Sequence, residues 1–188
     1  MHEDRRMKNI IDVLRNDRGT SRVIHPGCPP LKPGDSKLVR DQPGPRVRFG
    51  PGGGVYHIVT TAAESQGRHF AFVAFEPPGG GPPLHTHATE DEYFHVLEGE
   101  ITVYIDGRVV VAKPGQSVFV PHGAAHCFKN CSAREARVLV LFTPGRIEGF
   151  FDYGLPVNGR APSDEHLINR LKELGPRYGL ALVGPSPL

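Results

Sequence analysis

From Val55 onward the chain is made of short runs in which apolar and polar residues alternate, and turn-forming residues separate these runs. Alternation with a period of two is typical of strands that bury one face. We therefore predict eight strands without intervening helices, a pattern that indicates a β-sandwich or barrel. The predicted strands are Val55–Thr61, His69–Glu76, Glu92–Leu97, Glu100–Asp106, Arg108–Ala112, Ser117–Pro121, Ala125–Asn130 and Arg137–Phe142.

Two dipeptides between these runs predict the geometry of the turns. Asp106 and Gly107 separate two apolar alternations by two residues, which is a strong signal for a tight β-hairpin. Pro114 and Gly115 predict a type II turn, because proline fixes φ at the second position of that turn and glycine accepts a positive φ at the third.

The N-terminal part of the chain differs from the rest in its residue pattern and composition. Met7–Arg15 is predicted to form one short helix with its apolar residues on one side. Pro26–Gly54 is dense in proline and glycine, which predicts an arm that wraps over a core or a partner, with disorder as the alternative. We assign residues 1–54 to this helix and arm, and residues 55–142 to the barrel.

Residues 143–188 are predicted to form a C-terminal extension with one helix at about 163–174. Ser163 is a plausible N-cap, and Leu167, Leu171 and Leu174 follow it at helical spacing. Gly175 and the proline after it end the helix. Its apolar stripe is expected to pack on the outside of the barrel or on a second subunit.

Composition narrows the classes of function. The 188 residues include 22 Lys and Arg against 20 Asp and Glu, a net charge of +2 that argues against a nucleic-acid partner. The longest purely apolar run, Val138–Phe142, is too short to span a bilayer, so no membrane partner is expected. Met1–Met7 is not followed by an apolar segment, and three cysteines cannot form a paired disulfide framework. We therefore expect a single-domain protein of the reducing cytoplasm.

Four residues carry the chemistry that the sequence predicts. His85 and His87 are two residues apart, so on a strand both imidazoles point to the same side. Glu92 opens the next predicted strand, and His126 lies within a later one. Three imidazoles and one carboxylate suit a divalent transition metal that keeps positions open for water or substrate.

The spacing around these residues follows a longer pattern, Gly79-x5-His85-x-His87-x4-Glu92-x6-Gly99 and then Gly115-x5-Pro121-x-Gly123-x2-His126-x3-Asn130. In both stretches the chain resembles the cupin superfamily. The resemblance implies an all-β fold, a cupin jelly-roll β-barrel, here with an N-terminal Pro/Gly-rich arm and one C-terminal helix. It also implies that one divalent metal is bound by His85, His87, Glu92 and His126. The sequence leaves the ion open among Fe, Mn, Ni, Co and Zn.

Strand parity predicts which other side chains near these motifs point toward the metal and which point away from it. His95 and Cys127 are predicted to point away from the metal, and Asn130 is expected to be structural. Phe94 and Phe128 share the parity of the metal ligands and are predicted to be either pocket wall or barrel core. The weaker candidates for the pocket wall are Tyr56, Phe70, Phe72 and Tyr104.

A closer resemblance rests on Asp91–Glu100, on Thr143–Gly145 and on the pair Phe150 and Phe151, which are similar to the single-domain quercetin 2,3-dioxygenase-like cupins. It implies a metal-dependent dioxygenase that acts on a small enol or phenol, flavonol-like or polyketide-like, with Glu92 as both ligand and general base. Two alternatives stay open, namely a non-redox isomerase, cyclase or lyase, and a small-molecule-binding cupin without turnover. The expected partners are the small-molecule substrate, dioxygen and a second copy of the chain, because free barrel edges favour pairing. We expect Pro26–Gly54 to take part in that homodimer.

Overall fold

The structure, a computed structural model, describes residues 46–188. The predicted helix Met7–Arg15 and most of the predicted arm lie outside the described residues. Within 46–188 the chain forms eleven strands and one α-helix, α1 (Asp164–Leu174), with 3-10 turns at Pro51–Gly53, Gly145–Gly154 and Gly175–Tyr178. The strands are β1 (Val47–Phe49), β2 (Val55–Thr60), β3 (Phe70–Glu76), β4 (Leu84–His87), β5 (Asp91–Glu98), β6 (Ile101–Ile105), β7 (Arg108–Ala112), β8 (Ser117–Val120), β9 (His126–Lys129), β10 (Ala136–Thr143) and β11 (Leu180–Gly184).

The strands form two sheets in which every pair of neighbours is antiparallel. The six-stranded sheet has the order β1-β2-β3-β10-β5-β8, and the five-stranded sheet has the order β11-β4-β9-β6-β7. Alternation produces the core: along β5, for example, Phe94 and Val96 are buried while Tyr93 is exposed. This arrangement confirms the predicted all-β fold of two antiparallel sheets.

The turn residues adopt the backbone that the sequence predicted for them. Asp106 and Gly107 both have positive φ, 44° and 86°, as a two-residue hairpin of type I′ requires. Gly115 has φ 82°, and the amide of Gln116 donates to the carbonyl of Lys113 over 2.9 Å, in keeping with a type II turn. These two turns place β6 beside β7 and bring the chain into β8.

The C-terminal extension contributes to the barrel as well as carrying α1. The hydroxyl of Ser163 accepts a hydrogen bond from the amide of His166, and Leu167, Leu171 and Leu174 are buried on one side of the helix. The helix packs against the 3-10 turn Gly145–Gly154 of the same chain. After the helix, β11 pairs with β4 and forms one edge strand of the five-stranded sheet.

Three strands come in addition to the eight predicted ones. β4 follows two prolines and has only four residues, so its alternation is too short to stand out. β1 and β11 lie outside the predicted barrel range of 55–142, and each joins one edge of a sheet. None of the helices in residues 46–188 is both long enough and apolar enough to cross a bilayer.

Candidate metal centre

Four buried side chains meet between the two sheets. His85 and His87 project from β4 and His126 from β9, all in the five-stranded sheet, whereas Glu92 comes from β5 in the six-stranded sheet. One potential ligand atom from each side chain lies within 4.8 Å of those of the other three. The structure therefore brings together all four residues that the sequence proposed.

Two backbone carbonyls orient the imidazoles. The Nδ1 atom of His85 lies 2.8 Å from the carbonyl oxygen of Pro83, and that of His126 lies 2.9 Å from the carbonyl oxygen of Ala124. A carbonyl oxygen only accepts, so Nδ1 carries the hydrogen in both rings. This directs Nε2 of each ring toward the cluster, which is the arrangement that metal-binding histidines commonly adopt.

Glu92 is the only anion of the cluster. Its Oε2 lies 2.8 Å from Nε2 of His126 and 3.5 Å from Nε2 of His87. Burial alone raises the pKa of Glu92, but the imidazoles of His126 and His87 outweigh it and lower the pKa to about 2. Burial, together with the neighbouring imidazoles, lowers the pKa of His85 to about 3. At neutral pH, Glu92 is therefore charged and His85 is neutral.

This donor set fits a divalent transition metal. Among residues 46–188, neither ring nitrogen of His87 has a hydrogen-bond partner, although both are buried, and a buried polar atom without a partner is costly. A metal ion would satisfy one ring nitrogen of His87, and it would replace the proton between His126 and Glu92, since metal ligands must be deprotonated. Imidazole and carboxylate ligands are shared by the sites of several first-row metals, so the donor set leaves the ion open.

A small, mostly apolar pocket opens beside His85, His87 and Glu92. Its volume is about 40 Å³, enough for about three water molecules. None of the lining side chains from residues 46–188 is a lysine or an arginine. Apart from the three candidate ligands, the lining residues are Tyr56, Phe72, Pro82, Pro83, Phe128, Phe142, Phe150, Phe151, Tyr153, Leu171, Leu180 and Leu182.

The candidates for the pocket wall divide into two groups. Phe128, Tyr56 and Phe72 line the pocket. Phe94 and Phe70 lie in the core instead, with no exposed surface. Tyr104 is half-buried and is not one of the lining residues.

The remaining three residues singled out by parity lie outside the cluster. The side chain of His95 lies on the outer side of β5, where its Nδ1 atom is 2.8 Å from the hydroxyl of Ser117 on β8. Cys127 is buried, and burial raises the pKa of its thiol. Asn130 is structural, because its amide nitrogen donates to the backbone carbonyls of Glu76 and Arg134.

Sequence reasoning missed much of the pocket wall. Phe142 ends β10, while Tyr153, Leu180 and Leu182 come from the C-terminal extension, whose position over the barrel depends on tertiary packing. Phe150 and Phe151 were noted only as part of a family pattern. Glu76 was also missed: it shares the parity of Phe72, but it ends its strand, where alternation alone does not show whether a carboxylate is buried.

Comparisons with known proteins find a matching family and several relatives. The Cupin domain family matches residues 72–142. Quercetin 2,3-dioxygenase of Bacillus subtilis is 32% identical over 96 residues, which cover 50% of this chain and 28% of that protein. The polyketide synthase protein CurC of Streptomyces cyaneus is 27% identical over 93 residues, which cover 50% of this chain and 60% of that protein.

A third relative, the oxalate-binding protein of Thermotoga maritima, is 29% identical over 86 residues, which cover 45% of this chain and 70% of that protein. The chain spans less than two thirds of the length of the Bacillus and Streptomyces relatives. The similarity therefore covers only part of each of those two proteins.

Proposed function

Residues 72–142 of this chain are a cupin domain, and on this basis we propose that the protein is a metal-dependent enzyme that oxidises a small enol or phenol with dioxygen. The observation that carries the proposal is the buried set of His85, His87, Glu92 and His126 beside an apolar pocket. The similarity to a quercetin 2,3-dioxygenase supports the redox chemistry, at low identity.

The pocket wall favours one class of substrate. With no lysine or arginine in the part of the wall that residues 46–188 form, a dicarboxylate would find no cationic partner there. The phenylalanine-rich wall suits a neutral, apolar body. A volume of about 40 Å³ is too small to enclose a three-ring flavonol, and it would enclose only part of a one-ring molecule or a short enol.

The four ligands have separable tasks in this proposal. His85, His87 and His126 hold the ion through Nε2, with the Nδ1 atoms of His85 and His126 fixed by backbone carbonyls. A divalent transition metal, when bound, supplies a Lewis acid and, if it is redox-active, an electron path between an enolate or phenolate and dioxygen. Wall residues exclude water from the pocket and orient the substrate.

We assign Glu92 a second task as general base. Its carboxylate is buried and charged at neutral pH, and it lines the pocket that would receive the substrate. A substrate hydroxyl that enters the pocket would therefore find Glu92 beside it, and Oε2 would accept the hydroxyl proton. Proton transfer of this kind typically contributes about 10²–10⁴-fold in rate.

Oxygen uptake tests the proposal. Protein loaded separately with Fe(II), Mn(II), Ni(II), Co(II) and Zn(II) is assayed with catechol, pentane-2,4-dione and quercetin, in air and under nitrogen. Substrate-dependent oxygen consumption with a redox-active ion is expected, and it should be absent with Zn(II). Turnover that proceeds equally under nitrogen would overturn the oxygenase assignment in favour of a non-redox cupin enzyme. The similarity to a polyketide synthase protein supports that second class.

Binding without turnover would likewise overturn the oxygenase assignment. In that case the chain would be a small-molecule-binding cupin. The similarity to an oxalate-binding protein supports this third class, although the uncharged wall of the pocket does not favour a dianion.

A further inference from the structure

A second group of buried polar side chains lies beside the pocket, apart from the metal ligands. It consists of Glu76 at the end of β3, Tyr56 on β2 and Tyr153 in the 3-10 turn Gly145–Gly154. All three are buried, and their electrostatic interactions with one another show that they are neighbours. Tyr56 and Tyr153 also line the pocket that contains His85, His87 and Glu92.

We propose that Tyr56 and Tyr153 bind an acceptor oxygen of the substrate, and that Glu76 positions the Tyr56 hydroxyl for this contact. The inference rests on the proposed function in one respect, since it takes the pocket beside the metal ligands as the substrate site. It adds a second polar contact to that pocket, distinct from the metal.

Glu76 is an unusual residue to bury without a charged partner. Its side chain shares the inward face of β3 with Phe72 and Ala74, and none of its surface is exposed. Neither carboxyl oxygen has a partner with ordinary hydrogen-bond geometry in the described part of the chain, although the Tyr56 hydroxyl is near enough to interact with the carboxyl group. Burial raises the pKa of Glu76 to about 8, and nearby Tyr56 opposes this in part. The side chain is therefore mostly a neutral carboxylic acid at pH 7.

Three glycines provide the space that this group occupies. A Cβ atom on Gly80 would lie 2.6 Å from Oε2 of Glu76, and one on Gly54 would lie 2.8 Å from the same atom. A Cβ atom on Gly50 would lie 1.9 Å from the hydroxyl oxygen of Tyr56. Any side chain at these positions would collide with the polar group, so the backbone is shaped around it.

Among the described residues that line the pocket, Tyr56 and Tyr153 are the only ones with a hydroxyl group. Phe72 holds Tyr56 by stacking, with ring centroids 4.8 Å apart, and Phe150 packs on Tyr153 at 5.0 Å. Burial and the neighbouring acidic groups raise the pKa of both tyrosines, so both hydroxyls remain protonated. Protonated phenols donate hydrogen bonds, and their natural partner is a neutral acceptor such as a carbonyl oxygen.

The substrate class follows from these two contact points. One end of the molecule carries the enol or phenol oxygen that faces the metal ligands. Its apolar body contacts the phenylalanine-rich wall, and a second, uncharged acceptor oxygen faces Tyr56 and Tyr153. Hydroxyaryl ketones and cyclic diketones of one ring have this distribution of oxygens.

A matched pair of probes tests the inference without any turnover. The protein is loaded with Zn(II), which is redox-inert, and titrated with 3,4-dihydroxyacetophenone and with 4-ethylcatechol. Both probes present the same catechol to the metal, and they differ only in whether a carbonyl or a methylene follows the ring. The readout is the ratio of the two dissociation constants in each variant, so an effect on catechol binding itself cancels.

Tyr56→Phe and Tyr153→Phe are each expected to raise the dissociation constant of 3,4-dihydroxyacetophenone by about 3–10-fold, the range of one hydrogen bond. The dissociation constant of 4-ethylcatechol should change by less than about 2-fold. Tyr93→Phe is the control, because Tyr93 is exposed and its hydroxyl contacts Ser117. Glu76→Ala should also reduce the preference for the ketone, and Glu76→Gln, of the same shape, should restore it.

An unchanged ratio in both tyrosine variants would overturn the inference, as would an equal loss of affinity for both probes. Thermal melting of each variant separates a lost contact from a lost fold. Failure of the oxygenase proposal is distinguishable, because it is measured as oxygen uptake with redox-active ions and leaves the Zn(II) binding ratios intact.

Discussion

His85 and His126 stand directly opposite each other on the neighbouring strands β4 and β9, with their ring centroids 4.4 Å apart. The register between β4 and β9 therefore aligns the sequence motif that contains His85 with the one that contains His126. A shift of one residue would turn one of these side chains to the other face of the sheet. Glu92 then reaches the pair from the opposite sheet.

Removal of one of these histidines should abolish tight metal binding. We expect His126→Ala and His85→Ala to lose more affinity than the about 10–100-fold that loss of an outer partner of a ligand costs. The barrel should stay folded, because alanine at either position leaves the backbone hydrogen bonds between the strands intact. Metal content is measured on purified protein after incubation with each ion and desalting.

His95→Ala is the matched control for these variants. His95 also lies on a strand, but its ring contacts Ser117 on the outer side of β5. It should keep wild-type metal content. Equal metal loss in His95→Ala, or full occupancy in His126→Ala, would contradict the ligand assignment.

Glu92→Gln separates the two tasks proposed for this residue. Glutamine keeps the size and one oxygen for the metal but removes the basicity, so metal should be retained while kcat falls by about 10²–10⁴-fold. Glu98→Gln on the same strand is the control, since Glu98 is exposed and pairs with Arg137. A near-normal kcat with metal bound would show that Glu92 is only a ligand. If Glu92→Gln loses its metal, the pH–rate profile of the wild-type protein becomes the deciding measurement.

The ligand set could be predicted from sequence because its signals are local. His85 and His87 share a face by strand parity alone, and the spacing to Glu92 and His126 follows a family pattern. The hairpin at Asp106 was predictable for the same reason, since the turn type depends on adjacent residues.

The pocket wall could not be predicted in this way. Tyr153, Leu180 and Leu182 reach the pocket only because the C-terminal extension folds back and β11 pairs with β4. No periodicity within that extension encodes this contact. Glu76 is an intermediate case: its parity placed it inside, but alternation does not distinguish a buried carboxylate from one at the exposed end of a strand.

Gly81→Ala is expected to destabilise the fold strongly. Gly81 has φ 146°, and a Cβ atom there would lie 2.1 Å from the carbonyl oxygen of Phe128, which belongs to the backbone and has little room to move. We expect a loss of about 2–5 kcal/mol in the free energy of unfolding, from backbone strain and overpacking together. Urea denaturation of the metal-free protein provides the measurement.

Gly107→Ala measures the part of the lost free energy of unfolding that comes from backbone strain alone. Gly107 also has a positive φ, 86°, but apart from its chain neighbours no atom of the described residues lies within 4 Å of the added Cβ. Its cost should be limited to about 1–2 kcal/mol. A loss in Gly81→Ala no larger than that in Gly107→Ala would show that the contact with Phe128 relaxes freely.

We also propose that the chain forms a homodimer through β7. This strand is the edge of the five-stranded sheet, and its residues Val109, Val110 and Val111 are all exposed. An exposed apolar edge is a template for pairing with another strand. Val110→Lys should therefore shift the protein to a monomer in light scattering at micromolar concentration, whereas Val183→Lys, at an exposed position on β11, should not. A monomeric wild-type protein would refute the proposal.

Glu76 should make the stability of the protein depend on pH. Its pKa is about 8 in the folded chain against an ordinary value of 4.5, so the folded state binds more protons than the unfolded state between these two values. The free energy of unfolding therefore falls as pH rises from about 4.5 to 8, by at most about 1.4 kcal/mol per pH unit for this one group. Glu76→Gln cannot ionise and should lack this slope. Urea denaturation of metal-free wild type and Glu76→Gln at pH 5, 6, 7 and 8 gives the difference, in which the titration of the metal ligands cancels. A difference that stays constant across that range would mean that Glu76 ionises at its ordinary pKa, and that its carboxyl is hydrated in solution.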